Sequence, residues 1–341
     1  MPLRTFYWFI APSVILMVAF IAVPLVSVFL QSFYITSPEL ETVEIETCTP
    51  GILAEICTTQ TQTRPIIGDD GEILKRTEFV GFQSYRNVLD TDKTLAALAR
   101  LDFRELMTID FWKALRFTLI FTFVTLPIML AVGLIIALAV NMVTERLKGP
   151  VIFVSLLPFI ITPVIGALSI RWLFIGDGIM TALLEWLLET DIAMFAQAWT
   201  IELLIMFYRV WHVAPFAFVV FYAALQTVNQ DTLESAAMDG ASRFQRLRYV
   251  VIPHLMPLIV FLSLIHMMDS YRVFEEIIGF AAESHVISLQ WLTYDYLTPD
   301  DSGNRSIGRA SASSMLTMIG IVILLIWPLR RTWRDYYRRP V

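Results

Sequence analysis

The chain has 341 residues, of which 57% are hydrophobic and only 16% charged, with a net charge of −6 at neutral pH. Soluble globular domains carry about 25% charged residues, so this composition excludes an ordinary soluble core and points to a bilayer as the solvent. The acidic balance argues against a nucleic-acid binder, because neutralising phosphates needs clustered Lys and Arg.

A hydrocarbon core about 30 Å thick needs roughly 20 apolar residues per helix. Six runs reach that length: Tyr7–Tyr34, Phe111–Val143, Val151–Ile175, Trp199–Leu225, Leu258–Phe280 and Arg309–Leu329. Only helices and closed barrels satisfy their backbones in lipid, and these runs are too long and too continuously apolar for barrel strands. The expectation is an all-α integral membrane protein of six spans. The first run is longer than the apolar core of a secretory signal and lacks an A-x-A site, so it reads as a retained helix. Pro24, Pro127, Pro158 and Pro163 fall inside spans. Each frees a carbonyl and bends its helix, and the plainer reading is a tolerated kink.

The cations set the orientation. Arg4, Arg146 and Lys148, Arg243, Arg246 and Arg248, and Arg330, Arg331, Arg334, Arg338 and Arg339 all fall on one side of a six-span chain. That side is expected to be cytoplasmic, with both termini on it. The opposite loops are acidic, with Asp177, Glu185, Glu189 and Asp191 in one and Glu283, Asp295, Asp300 and Asp301 in another. Between the first two spans lies a polar, acid-rich insert of residues 35–110. Its stretch RPIIGDDGEILKR reads as a hairpin turning at Asp70-Gly71. Cys48 and Cys57, the only two cysteines, lie close together on the oxidising side, where a disulfide is plausible and two free thiols are the alternative.

Residues Asn229–Pro257 form a polar, Arg-bearing interlude between the fourth and fifth spans. Asp231 followed by Glu234 is a capping-box-like pattern, with Glu234 near a helix N-terminus where the macrodipole favours an anion. Gly240 should end that helix in a left-handed conformation. Ser242 followed by Gln245 repeats the capping pattern, and Pro253 and Pro257 should stop the second helix. The expected product is a rigid knob of two short helices bent at Gly240.

Charges at bilayer depth are costly and mark functional candidates. The fourth span carries Tyr208, Arg209, Trp211 and His212; the fifth carries His266, Asp269, Ser270, Arg272, Glu275 and Glu276. Asp269 and Arg272, and Arg272 and Glu276, are spaced to share one helical face. Two readings stay open: an ion-pair network, with Arg209 meeting Asp269 or Glu276, and the lining of a pathway. Aromatic faces beside hydrogen-bonding groups suit a polyhydroxylated ligand. His212 and His266 read as hydrogen-bonded interior residues, and no spacing suggests a metal site. Gly308, Ala310, Ser311, Ala312, Ser313 and Ser314 form a small-residue run suited to close packing against a neighbouring helix or subunit. No P-loop, G-x-S-x-G or H-E-x-x-H pattern occurs, so neither catalysis nor a bound nucleotide is expected in this chain.

The stretch NQDTLESAAMDGASRFQRLRYVVIPHLMP resembles the EAA coupling loop of ABC-importer permeases. The family pattern is E-A-A, three residues, Gly, nine residues, I-x-L-P. Glu234, Ser235 and Ala236 align with its start, Gly240 with its glycine, and Val250, Ile252 and Pro253 with its end. Asp239, Gly240 and Ala241, with Ser242, match the DGAS of the sugar-transport subset. FVGFQSYRNVLDTDKT…FWKALRFTL resembles the entry to the second helix of that subset, with Phe117 where Asn is usual. AAESHVISL, residues 281–289, replaces its GGP turn. The resemblance implies a type I ABC importer permease. The expected parts are an N-terminal helix at 1–34, an extracytoplasmic insert at 35–110, a permease core at 111–330 with its coupling loop at 226–257, and a basic tail at 331–341. It also implies a second homologous permease subunit forming a heterodimer, two ATPase subunits carrying ATP and Mg, and an extracytoplasmic solute-binding protein, all in a bacterial or archaeal plasma membrane with its lipid. The cargo would be a sugar or related polyhydroxylated solute. The alternative is a proton-coupled secondary carrier using His266, Asp269 and Arg272; such carriers are built from inverted repeats, and none is visible here.

Overall fold

The computed structural model describes residues 3–50, 55–68, 74–176, 178–191, 193–300 and 304–337. The chain divides into two compact units, Met1–Leu101 with Thr293–Leu316, and Asp102–Leu292 with Thr317–Val341.

In the first unit, α1 (Leu3–Met17) and α2 (Val23–Gln31) are joined through a π-turn at Val18–Ala22. Together they make an apolar span over Thr5–Gln31 with no buried residue. Pro24 sits at the start of α2, where the widened turn tolerates its missing N–H. Four strands follow: β1 (Tyr34–Pro38), β2 (Leu40–Pro50), β3 (Glu55–Pro65) and β4 (Lys75–Phe79). β1 pairs antiparallel with β4, and β2 with β3. The arms of the expected hairpin around Asp70-Gly71 meet through the Leu74 N–H, which donates to the Ile66 carbonyl at 2.9 Å, but the long ladders are made by other pairs. Arg64 belongs to β3 and Arg76 to β4, and each lies opposite a different strand. Two eleven-residue alternating runs, β2 and β3, offer a longer ladder than the short local pair could. Asp70 and Gly71 themselves lie outside the described residues. Cys48 and Cys57 are direct register partners in the β2–β3 ladder; their side chains lie outside the description. α3 (Gln83–Leu89) and α4 (Thr91–Arg100) complete this stretch, with Ser32 Oγ 2.8 Å from Tyr85 Oη tying the end of the first span to α3.

The second unit begins with α5 (Phe103–Leu106), the long α6 (Asp110–Asn141), α7 (Glu145–Ile160), α8 (Pro163–Phe174), α9 (Ile179–Leu188) and α10 (Ala198–Leu225). It continues with α11 (Gln230–Met238), α12 (Arg243–Arg246), a π-turn at Leu247–Val251, α13 (Ile252–Ser270), α14 (Glu275–Phe280) and α15 (Leu289–Asp295), the last of which runs on into the first unit. α6 and α10 make the most extensive helix pair. Gly133 is what permits it: a Cβ there would stand 2.6 Å from that of Ala217.

Among the described residues, five continuous helices are long and apolar enough to cross a membrane: Thr5–Gln31, Asp110–Asn141, Ala198–Leu225, Arg243–Ser270 and Ile307–Arg330. The sixth expected span is not continuous. α7 and α8 meet at a 94° bend, so Pro163 breaks the helix where a kink was expected. Ile161 and Thr162 both adopt extended conformations, the geometry favoured before proline. Pro127 and Pro158, by contrast, stay within helices. The fifth span is also displaced from its expected place. It starts at Arg243 and stops at Ser270, and the chain turns at Tyr271–Phe274 before α14. α16 (Ile307–Tyr337) carries the sixth span and continues into the expected tail. Its small-residue run is consumed within this chain rather than left for a partner. A Cβ on Gly308 would collide with the Tyr34 carbonyl, and Ser313 Oγ lies 2.8 Å from Thr293 Oγ1. Ala310, Ser311 and Ala312 are buried.

Candidate functional site

The polar interlude between the fourth and fifth spans folds as a capped elbow. α11 starts earlier than expected: Asn229, not Asp231, is its N-cap, with Oδ1 accepting the Asp231 N–H at 2.8 Å. Asp231 stands in the first turn, where an anion suits the macrodipole. Gly240 ends α11 at φ +80. The Ala241 N–H donates to the Ala236 carbonyl at 2.9 Å and the Gly240 N–H to that of Ala237 at 3.1 Å, the paired bonds of a Schellman cap. Ser242 forms a full capping box: its Oγ accepts from Gln245 N at 3.3 Å, and Gln245 Oε1 accepts from Ser242 N at 2.7 Å. Pro253 and Pro257 do not stop the second helix. The π-turn at Leu247–Val251 accommodates Pro253, and the rod Arg243–Ser270 runs unbroken into the bilayer.

Of the residues matched to the EAA pattern, Glu234, Ser235, Asp239, Gly240 and Pro253 are exposed, while Ala236, Ala241, Val250 and Ile252 are half-buried. Leu233 and Leu247 pack the elbow onto the core around Val251 and Leu255. The opposite face carries apolar side chains that pattern matching did not select. Met238 is 89% exposed, Phe244 67% and Tyr249 70%. Large apolar groups in a polar segment, off the core-facing positions, were the available signal.

The second cluster centres on α10. Thr125 lies midway along α6 and His212 midway along α10, whereas Asp269 stands at the C-terminal end of α13 and Glu276 in the first turn of α14. Arg209 is 6% exposed and Glu276 2%. Arg209 Nη1 is 2.6 Å from Glu276 Oε1, and its Nη2 pairs with Asp269 Oδ2. Arg209 therefore takes both carboxylates that the sequence left as alternatives, one from each side of the α13–α14 turn. Arg272 does not share a helical face with Glu276, because it stands in the turn itself.

The break between α7 and α8 is held from α10. His212 Nε2 donates to the Ile161 carbonyl at 2.9 Å, and the Tyr208 hydroxyl donates to that of Pro163 at 2.8 Å. Irregular backbone at membrane depth persists only where such partners exist. Gly166 lies so close to the Tyr208 hydroxyl that no Cβ would fit. Further down, His266 Nε2 is 2.9 Å from Thr125 Oγ1 and 3.0 Å from Ser270 Oγ. Thr125 already donates to the Phe121 carbonyl, so the imidazole N–H is the donor to Thr125. The Nδ1 atoms of His212 and His266, and Arg209 Nε, are buried without a partner.

Two cavities open here, of about 250 and 280 Å³, and Arg209, Asp269, Arg272 and Glu276 line the first and Arg209, His212, His266 and Asp269 the second. Tyr208 and Trp211, expected with them, line neither: Tyr208 is buried in packing and Trp211 points 38% of its surface outward. Phe159, Phe216, Glu275 and Gln290 are additional lining residues. The first two come from helix faces that read as ordinary apolar spans.

Residues 110–329 match the family described as "Binding-protein-dependent transport system inner membrane component". The chain is 28% identical over 254 residues to the trehalose/maltose transport system permease protein MalF of Thermococcus litoralis, covering 73% of this chain and 78% of that one. It is 32% identical over 209 residues to the trehalose transport system permease protein SugA of Mycobacterium tuberculosis, covering 60% and 64%. A subunit of a bacterial alginate ABC transporter, crystallised with a periplasmic protein carrying an alginate pentasaccharide, has the same fold. The TM-score is 0.68 at 16% identity, over 99% of this chain and 96% of that one. The match decides against a self-powered carrier, and the Asp269 and His266 side chains assigned to its proton relay are engaged with Arg209 and Thr125. With its spanning helices, its capped elbow and a match over most of its length, the chain belongs to the binding-protein-dependent transport system inner membrane component family and is a multi-pass permease of the type I ABC importer fold.

Proposed function

We propose that this chain forms one half of the pathway of an ATP-driven importer for a sugar or related polyhydroxylated solute. Its partners are a second, homologous permease in a heterodimer, two ATPase subunits that hold ATP and Mg, and an extracytoplasmic solute-binding protein. The elbow at Gly240 faces the cytoplasm, with both termini on that side, as the arginine bias favours. The observation that carries the reading is the unbroken rod from Arg243 to Ser270. A push on its capped cytoplasmic end reaches the charged cluster at its far end without a flexible joint.

Glu234, Ser235, Asp239, Gly240 and Pro253 form the ATPase contact, and Met238, Phe244 and Tyr249 supply its apolar anchors; buried aromatic groups dominate such interfaces. The sugar reading draws support from the cargo named for the relatives and from the mixed donors, acceptors and aromatic walls of the two cavities. Gly240→Pro tests the lever. Proline cannot adopt φ +80 and removes the N–H given to the Ala237 carbonyl. In proteoliposomes holding the whole complex, insertion should persist while ATP hydrolysis continues without solute uptake. Unchanged uptake would refute the lever.

A further inference from the structure

The two cavities meet at a single ion pair. One lies at the α13–α14 turn, walled by Arg272, Phe274, Glu275 and Gln290. The other lies one to two turns back along α13, walled by Phe159, His212, Phe216 and His266. Arg209, Asp269 and Glu275 belong to both walls. Of these three, Arg209 and Asp269 are bonded to each other, from α10 across to α13.

The two arms of Arg209 differ in kind. The Glu276 arm is buried, with side chains 7% and 2% exposed. The Asp269 carboxylate is 55% exposed. Water competes for the exposed arm and makes it weak, whereas opening the buried arm would strand a charge. The turn at Tyr271–Phe274 also puts Asp269 and Glu276 on different helices. A shift of α13, which is continuous with the coupling elbow, can therefore pull Asp269 away and leave Glu276 in place.

We infer that the Arg209–Asp269 pair is an internal gate between the two cavities, with Glu276 as the fixed anchor of Arg209. When α13 draws Asp269 back, the cavities join. The guanidinium edge and the freed carboxylate then face one continuous space walled in part by His212 and His266. That is a set of donors and acceptors for a hydroxylated solute, brought into one chamber only when the pair is apart.

The gate rests on the transport reading above, but its test requires no transport. Cells expressing the whole complex, with Cys48→Ser and Cys57→Ser, are treated from outside with a membrane-impermeant charged maleimide. Leu262→Cys reports the deeper cavity, where the leucine is 1% exposed, and Gln290→Cys the outer one. Asp269→Asn, and Asp269→Ala as a second variant, should raise the Leu262→Cys labelling rate at least tenfold, and Asp269→Glu should return it to the slow rate. Gln290→Cys should label alike in all of them. A Leu262→Cys rate that is already fast with Asp269 present, or unchanged by both replacements, overturns the gate. If Gln290→Cys is reached only in inside-out vesicles, the orientation fails, and the same comparison made there still decides the gate.

Discussion

Removing the charge of Glu276 should damage this protein far more than removing that of Asp269, although both carboxylates hold the same guanidinium. Glu276→Gln keeps the side-chain volume and an oxygen within reach of Arg209 Nη1, so sterics contribute little. What changes is that Arg209, 6% exposed, loses its buried counter-charge. Breaking a buried pair by neutralising one partner costs about 3–5 kcal/mol. The Asp269 side chain is 55% exposed, so Asp269→Asn should cost no more than about 1 kcal/mol. For a helical unit of this size each kcal/mol moves a melting midpoint by about 2–4 °C. Glu276→Gln should then melt about 6–20 °C below the parent and Asp269→Asn within about 4 °C of it. Intrinsic tryptophan fluorescence of the purified complex, in one detergent and at one scan rate, reads both. The double replacement Arg209→Met with Glu276→Leu should regain more than half of the loss, because no buried charge is left unpaired. Equal midpoints for the two single variants would refute the assignment of the buried and exposed arms.

Gly166→Ala should cost about 1–3 kcal/mol by overpacking against Tyr208, and Tyr208→Phe about 1 kcal/mol by removing the hydroxyl's bond to the Pro163 carbonyl. Because the new methyl occupies the space of the lost hydroxyl, the double variant should melt higher than the sum predicts. Phe244→Ala and Tyr249→Ala should each weaken capture of the ATPase subunits about tenfold, as buried aromatic anchors do, while a quantitative pull-down shows Thr232→Ala unchanged. Directly opposed residues in an antiparallel ladder have Cα atoms about 4.5–5.5 Å apart, within the range a disulfide bridges. We propose that Cys48 and Cys57 are joined. Intact mass spectrometry should then find the chain two hydrogens light, with alkylation only after reduction, and alkylation without reductant would disprove the bond.

What the sequence determined by itself was local. Apolar length predicts a span because lipid leaves the backbone no other partner, and four of the five continuous helices stand close to where their runs are. The elbow was legible for a similar reason: Gly240, Ser242 and Gln245 satisfy helix-end groups only a few residues away. The tertiary structure decided the rest. Pro163 looks no different from Pro127 in sequence, yet one breaks its helix and the other does not, because His212 takes the Ile161 carbonyl at the end of α7 and Tyr208 binds the Pro163 carbonyl in the first turn of α8. The spacing of Arg272 and Glu276 suggested a shared face, but that inference assumes a helix that the turn at 271–274 interrupts. The small residues of α16 read as a surface for another subunit until Tyr34 and Thr293 were found against them. Whether a carboxylate near Arg209 is an anchor or a latch depends on how much water reaches it, a property of the packed neighbours that no spacing along the chain encodes.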